Sequence, residues 1–422
     1  MDFCVLPSGA KTLTNLRVPA CLIGQSGDLA QITLHLDQGR IMATPPPGAP
    51  VLDMGGAMVF PCFTDMHTHL DKGHIWPRAA NPDGTFMGAL RTVAADRVAR
   101  WSAADVAARM EFSLRCAYAH GTRAIRTHLD SLAPQDAISF PVFAEMREKW
   151  AGRIELQGSC LVAADNISTD GFFAETARIV AASGGVLGAV TYPIPDLRAR
   201  LMTFFDLAEK HDLEVDFHVD ETNDPASDTL RIIAEVVLER GFDRPVTVGH
   251  CCSISVMPEA TATSIIDKVA RAGLNVVSLP MCNLYLQDRM PGRTPRWRGV
   301  TMVHELAAAG VNVSFASDNT RDPFYAYGDM DMLEVMREAT RICHLDHTHD
   351  DWPRAFLTNP ARAMGIAAPS LAPGAPADLV ITRARGWSEL FSRPQADRIV
   401  IRAGEAIDRT LPDYSELDPL MS

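Results

Sequence analysis

Between residues 59 and 365, eight short apolar or β-branched runs alternate with segments of helical period: VFPCFTDMH, TRAIRTHLD, IELQGSCLVA, VLGAVTYP, LEVDFHVDE, VTVGHCC, LNVVSLPM and VNVSFASDN. Runs of this length and composition read as strands. Among the helical segments, SAADVAARMEFSLRCAYAHG opens on Ser102 and stops at Gly121, and DLRARLMTFFDLAEKHD has Asp196 available as an N-cap. Strict strand–helix alternation demands parallel strands, because each crossover returns the chain to the same end of the sheet. Eight such units in about 300 residues predict an α/β fold, a (β/α)8 TIM barrel whose site lies at the carboxyl ends of its strands.

Those ends carry chemistry. His67 and His69 stand at i and i+2, so on a strand both imidazoles point to one face. His218 lies near the end of LEVDFHVDE, His250 closes VTVGH, and Asp318 lies near the end of VNVSFASDN. An isolated HxH pair among 13 histidines can be chance or a satisfied polar contact. Strand ends carrying His, His, His and Asp in turn are hard to explain as packing, because buried ionisable groups are costly unless paired or bound to metal. The five residues therefore predict one metal site. A divalent ion with three imidazoles and a carboxylate leaves room for water and lowers that water's pKa toward neutrality. Cys251 and Cys252 follow His250, but adjacent strand residues face opposite ways, so both are read as structural.

At 422 residues the chain exceeds a usual single core, which predicts one large domain and one small one. Residues 1–58 have short-strand composition with turns at Gly24, Gly27, Gly39 and PPPG, and the pattern returns after NPARAMG. The expected division is a composite β-sandwich domain of 1–58 and 366–422 beside a barrel of 59–365. A net charge of -13 without a dense basic run argues against nucleic acid or anionic membrane as partners and leaves small molecules. The start MDFCVLPSGA lacks a signal-peptide pattern, and no stretch of 18 apolar residues occurs. Nine cysteines without CxxC spacing suit a reducing compartment, so the expected location is cytoplasmic.

HTHLD at 67–71, RTHLD at 126–130, HVDE at 218–221, GHCCS at 249–253, NLYLQDR at 283–289 with RGVT at 298–301, and SDNTRDPFYAYGD at 317–329 together resemble the amidohydrolase superfamily, and within it the cytosine deaminase branch. The resemblance covers nearly the whole chain. It implies that His67, His69, His218 and Asp318 ligate a single Zn2+ or Fe2+, that Glu221 is a proton shuttle, and that His250 stands beside the metal-bound water, where it or Asp318 takes a proton. Two-metal relatives use a lysine on the fourth strand, and VLGAVTYP has none. Asn319, Phe324 and Gln287 fall in motifs expected near the substrate. Arg126, His128 and Asp130 are expected to support either the ligands or the barrel, and Lys72 and His74 to lie on a solvated loop.

Two positions depart from that branch. A glutamine that reads the amide edge of the base is replaced in LVAADN by alanines at 163 and 164, and a second aspartate after the metal ligand is Asn319, which donates as well as accepts. Both changes alter the polar code that discriminates substrates. The expectation is a hydrolytic deaminase that releases ammonia from a nitrogen heterocycle with a cytosine-like edge. Cytosine leads, with isocytosine, a pterin, a purine or an s-triazine as alternatives. A ring-opening cyclic amidase is the second enzyme class, and a catalytically silent metal-stabilised binding protein the third. Homo-oligomers are common for this fold.

Overall fold

The computed structural model describes residues 3–168, 171–348 and 351–422. It is an α/β fold with parallel sheets. Eight parallel strands follow in chain order: β1 Phe63–Thr68, β2 Thr122–Asp130, β3 Glu155–Leu161, β4 Leu187–Thr191, β5 Val215–Val219, β6 Val246–His250, β7 Asn275–Ser278 and β8 Asn312–Phe315. β1, β2 and β3 form one sheet, and β4 to β8 form another in sequential order. Isolated parallel bridges connect the two, Ser159 with Val186 and Ala163 with Val190 beside β3 and β4, and Thr68 with Asp318 between β1 and the segment after β8.

Helices separate successive strands, and their ends follow the local chemistry. Ser102 accepts from the Asp105 N–H at the start of the helix Ala103–His120, and Gly121 ends it at φ 96°. Gly121 is required twice over, since a Cβ there would also meet Val380 Cγ2 at 2.4 Å. Asp196 precedes the helix Leu197–His211 as expected but does not cap it with its side chain. Its carboxylate instead accepts from Arg200 Nε one turn on.

Residues from both ends of the chain build one eight-stranded sheet. Its order is Glu405–Ala406, Ile399–Arg402, Leu379–Thr382, Met58–Pro61, Lys11–Pro19, Leu29–Asp37 and Arg40–Met42, with Val51–Asp53 also pairing with Lys11–Pro19. Leu13, Leu16, Val18, Leu34, Leu379 and Ile401 contribute to its own apolar core. The run VFPCFTDMH, expected as one strand, breaks at Cys62: Met58–Pro61 pairs antiparallel with Leu379–Thr382, and β1 pairs parallel with β2. Pro61 has no N–H to continue a ladder, which suits a point where the chain passes between sheets. Among the described residues no helix is long and apolar enough to cross a membrane.

Candidate active site

The predicted residues meet at the carboxyl ends of β1, β5, β6 and β8. β1 carries His67, and His69 follows just beyond its end. His218 lies in β5, and His250 is the last residue of β6. Asp318 stands three residues after β8, held there by its N–H donated to the His67 carbonyl at 2.9 Å. Asp220, His250, Cys251 and Asp318 all have left-handed backbone, with φ between 48° and 67°. Such conformations cost free energy in non-glycine residues and gather where a site over-determines them.

The donor atoms converge. Nε2 of His67 is 3.1 Å from Nε2 of His218, which is 3.3 Å from Nε2 of His69. Oδ1 of Asp318 lies 3.6 Å from His67 Nε2 and 3.3 Å from His69 Nε2. Two donors each about 2.0–2.1 Å from one tetrahedral ion lie about 3.3 Å apart, so these separations fit a single divalent cation. Both Asp318 oxygens are buried without a hydrogen-bond partner among the described residues. Burial, together with neighbouring positive groups, holds His67, His69 and His218 well below their ordinary pKa, leaving neutral imidazoles with lone pairs for a metal. Burial pushes the Asp318 carboxyl up to about 7. Four ligand-capable groups brought together in one buried place, with both carboxylate oxygens of Asp318 unpaired among the described residues, form an arrangement suited to a metal ion.

Behind these groups stands a layer of buried support. His128 Nε2 faces His67 Nδ1 at 3.1 Å, the nitrogen opposite the one that meets His218. Arg126 pairs with Asp216 at 3.0 Å and Glu214 at 2.9 Å. Asp65 accepts from the N–H and hydroxyl of Ser317, the residue before Asp318. Lys72 and His74 differ from expectation, because both are buried rather than solvated. Lys72 reaches Asp130 at 2.7 Å, and Asp130 also accepts from Arg97 at 2.7 Å. A buried lysine needs such a carboxylate to remain charged.

Glu221, His250 and Gln287 gather at one side. Glu221 is largely buried, and Gln287 donates to its backbone carbonyl at 3.2 Å. Burial first and the Asp318 carboxylate second raise the Glu221 carboxyl well above its ordinary value. Burial pushes His250 down to about 3, and its Nε2 has no hydrogen-bond partner among the described residues. Asn319 donates to Asp322 at 2.7 Å, and Asp322 accepts from the Phe324 N–H at 2.8 Å. Phe324 packs edge-on against Phe86 and lies 5.6 Å from Lys72 Nζ. Three residues escaped the sequence reading: Asn283, which bridges Glu221 and His250, Asp216 and Asp65. Asp216 was detectable as a lone acid two residues before His218, hence on the same strand face. Asn283 was detectable as one amide in the apolar helix PMCNLYL.

The family model described as "Amidohydrolase family" matches residues 159–408, more than half of the chain. The chain belongs to the amidohydrolase family, among its metal-dependent hydrolytic deaminases. It is 55% identical over 432 aligned residues to a pterin deaminase of Rhizobium rhizogenes, covering 100% of this chain and 99% of that one. The structure is similar to that of 5-methylcytosine deaminase from Klebsiella pneumoniae, with TM-score 0.77 and 26% identity over 95% of this chain and 98% of that one. It is also similar to N-isopropylammelide isopropylaminohydrolase from Burkholderia multivorans, with TM-score 0.74, 25% identity and coverage of 94% and 98%.

Proposed function

We propose that this amidohydrolase deaminates a pterin, exchanging the exocyclic amine of its aminopyrimidinone ring for oxygen from water and releasing ammonia. The observation that carries the reading is the 55% identity, end to end, with a pterin deaminase. Cytosine, the leading expectation from the sequence, gives way to the pterin alternative, because the similarity to 5-methylcytosine deaminase is only 26%. The alanines at 163 and 164 support the same choice, since loss of a long amide leaves space beside the ring for a second one.

His67, His69, His218 and Asp318 would hold the ion, and zinc and iron(II) both suit that donor set. When bound, it supplies the Lewis acidity that makes water a nucleophile at neutral pH. Glu221, whose carboxyl burial raises well above its ordinary value, donates to a ring nitrogen as the adjacent carbon is attacked, and the departing amine leaves as ammonia after a second proton transfer. His250 lies beside Glu221, 3.6 Å from its carboxylate. Asn319, Phe324 and Gln287 shape the substrate pocket, with Asn319 fixed in orientation by Asp322.

In this reading the bridges at both seams close β1 to β8 into a (β/α)8 barrel within residues 59–365, and 1–58 with 366–422 form the small β domain, whose single sheet, rather than the expected sandwich, also takes in the strand Met58–Pro61. A cytoplasmic location agrees with eight buried cysteines that form no disulfide among the described residues. The test is ammonia release by metal-loaded protein from pterin, isocytosine, cytosine, 5-methylcytosine, guanine and N-isopropylammelide, with Glu221→Gln as control. Turnover of pterin at the highest kcat/KM, abolished in the control, is the expected result. Preference for another compound moves the substrate assignment to it, and ring opening without ammonia overturns deamination.

A further inference from the structure

Asn283 is fully buried in the short helix Pro280–Leu286, with its N–H donated to the Leu279 carbonyl and its carbonyl accepting from the Gln287 N–H. Its Nδ2 lies 3.0 Å from Glu221 Oε1 and 2.9 Å from His250 Nδ1. An amide nitrogen carries two hydrogens and no available lone pair, so both neighbours must accept. Exchanging the amide oxygen and nitrogen would bury the NH2 where the structure offers no partner, since Asn283 Oδ1 has none among the described residues. A buried donor left alone is rarer than an under-bonded carbonyl, so the amide has one orientation.

This orientation dictates where two protons sit. His250 Nδ1 accepts, so the neutral ring carries its hydrogen on Nε2, the nitrogen with no partner among the described residues. Glu221 Oε1 also accepts, so a proton on that carboxyl sits on Oε2. We propose that Asn283 is a positioning residue that fixes His250 as an Nε2–H donor and directs the Glu221 proton to Oε2. This rests on reading Glu221 and His250 as working groups of a deaminase, but not on which heterocycle it takes. His250 then meets the substrate or the attacking oxygen as a hydrogen-bond donor, and the proton given up by water goes to a carboxylate rather than to His250.

The experiment is long-range proton–nitrogen correlation NMR of zinc-reconstituted enzyme labelled with ¹⁵N-histidine, with His250 assigned by the signals lost in His250→Gln. The expected spectrum has His250 protonated at Nε2 and bare at Nδ1. In Asn283→Asp, whose carboxylate accepts from the ring, the proton moves to Nδ1, and kcat falls about 100-fold while KM changes less than about threefold. A wild-type ring protonated at Nδ1 overturns the inference without any variant. An unmoved tautomer in Asn283→Asp also overturns it; if the aspartate variant does not fold, Asn283→Leu, which removes both donors, replaces it, and a ring still held wholly as the Nε2–H tautomer there overturns the inference as well. The spectrum needs no substrate, so failure of the pterin assignment would leave it standing, and the reverse holds as well.

Discussion

At Gly249 the β6 backbone passes so close to His67 that a Cβ would sit 3.0 Å from Cε1 and 3.2 Å from Nδ1 of that ring. His67 also meets His128 through Nδ1 and His218 through Nε2, so its ring has little freedom to retreat. Gly249→Ala should therefore tilt the ring away from the point where the four donors meet while leaving the strand folded. The expected result is a metal affinity weaker by about 10- to 100-fold, the range seen when support around a ligand is disturbed. Competition with a chromophoric chelator measures it, and an unchanged affinity would show that His128 can absorb the displacement. Residue chemistry of this kind is only half visible in a sequence. His67, His69, His218 and Asp318 could be read because strand periodicity and order along the chain fix which ends they occupy. The closeness of Gly249 to His67 could not, because it depends on how neighbouring strands stagger.

Among the elements, the joint between β3 and β4 has no continuous ladder, only the bridges Ser159–Val186 and Ala163–Val190. Gly188 explains why the joint can form. A Cβ there would lie 2.1 Å from the Cys160 carbonyl and 2.5 Å from Ser159 Oγ, and the Gly188 N–H instead approaches Cys160 Sγ at 3.0 Å. Gly188→Ala must push β4 off β3, so it should destabilise by about 1–3 kcal/mol, as overpacked cores do, or prevent folding. Urea unfolding checks this, and a change below about 0.5 kcal/mol would mean the seam is loose. All eight strands were legible as apolar runs bounded by turn residues. Their limits were less so: LEVDFHVDE predicts nine residues, yet β5 keeps only Val215–Val219, because Asp220 turns left-handed to accept from Ser227 and Thr229. The break at Cys62 was hidden because VFPCFTDMH has no turn residue pair to divide it, and only the partner strand distinguishes its halves.

The scale of the whole molecule adds two dependences. The proposed metal ligands come from the ends of three strands far apart in sequence, so an ion that binds only the folded chain would raise stability by RT ln(1 + [L]/Kd), about 2.7 kcal/mol at a hundredfold excess over Kd. Stripping the metal with a chelator should lower Tm, and restoring zinc should recover it; an unchanged Tm would mean the four donors do not bind a cation in the folded state. The second dependence joins the terminal sheet to the rest. Arg398, buried beside the strand Ile399–Arg402, pairs with Asp331 through both Nη atoms at 2.6 and 2.7 Å and reaches the His120 carbonyl. The Arg398 guanidinium, aided by His120, holds the Asp331 carboxyl below its ordinary value of 3.8 against the opposing effect of burial. A depressed carboxyl contributes stability that is present above the unfolded pKa and lost as pH falls below it toward the folded value. Arg398→Met removes one partner of a buried pair and should cost about 3–5 kcal/mol at neutral pH. It should also flatten the acid-side decline below about pH 4, since an unpaired Asp331 no longer binds protons more weakly in the folded state. Urea unfolding of both proteins between pH 3 and 7 reads both effects. Equal slopes on the acid side would assign the decline to other carboxylates, and equal stability at pH 7 would mean the terminal sheet docks through its apolar contacts alone.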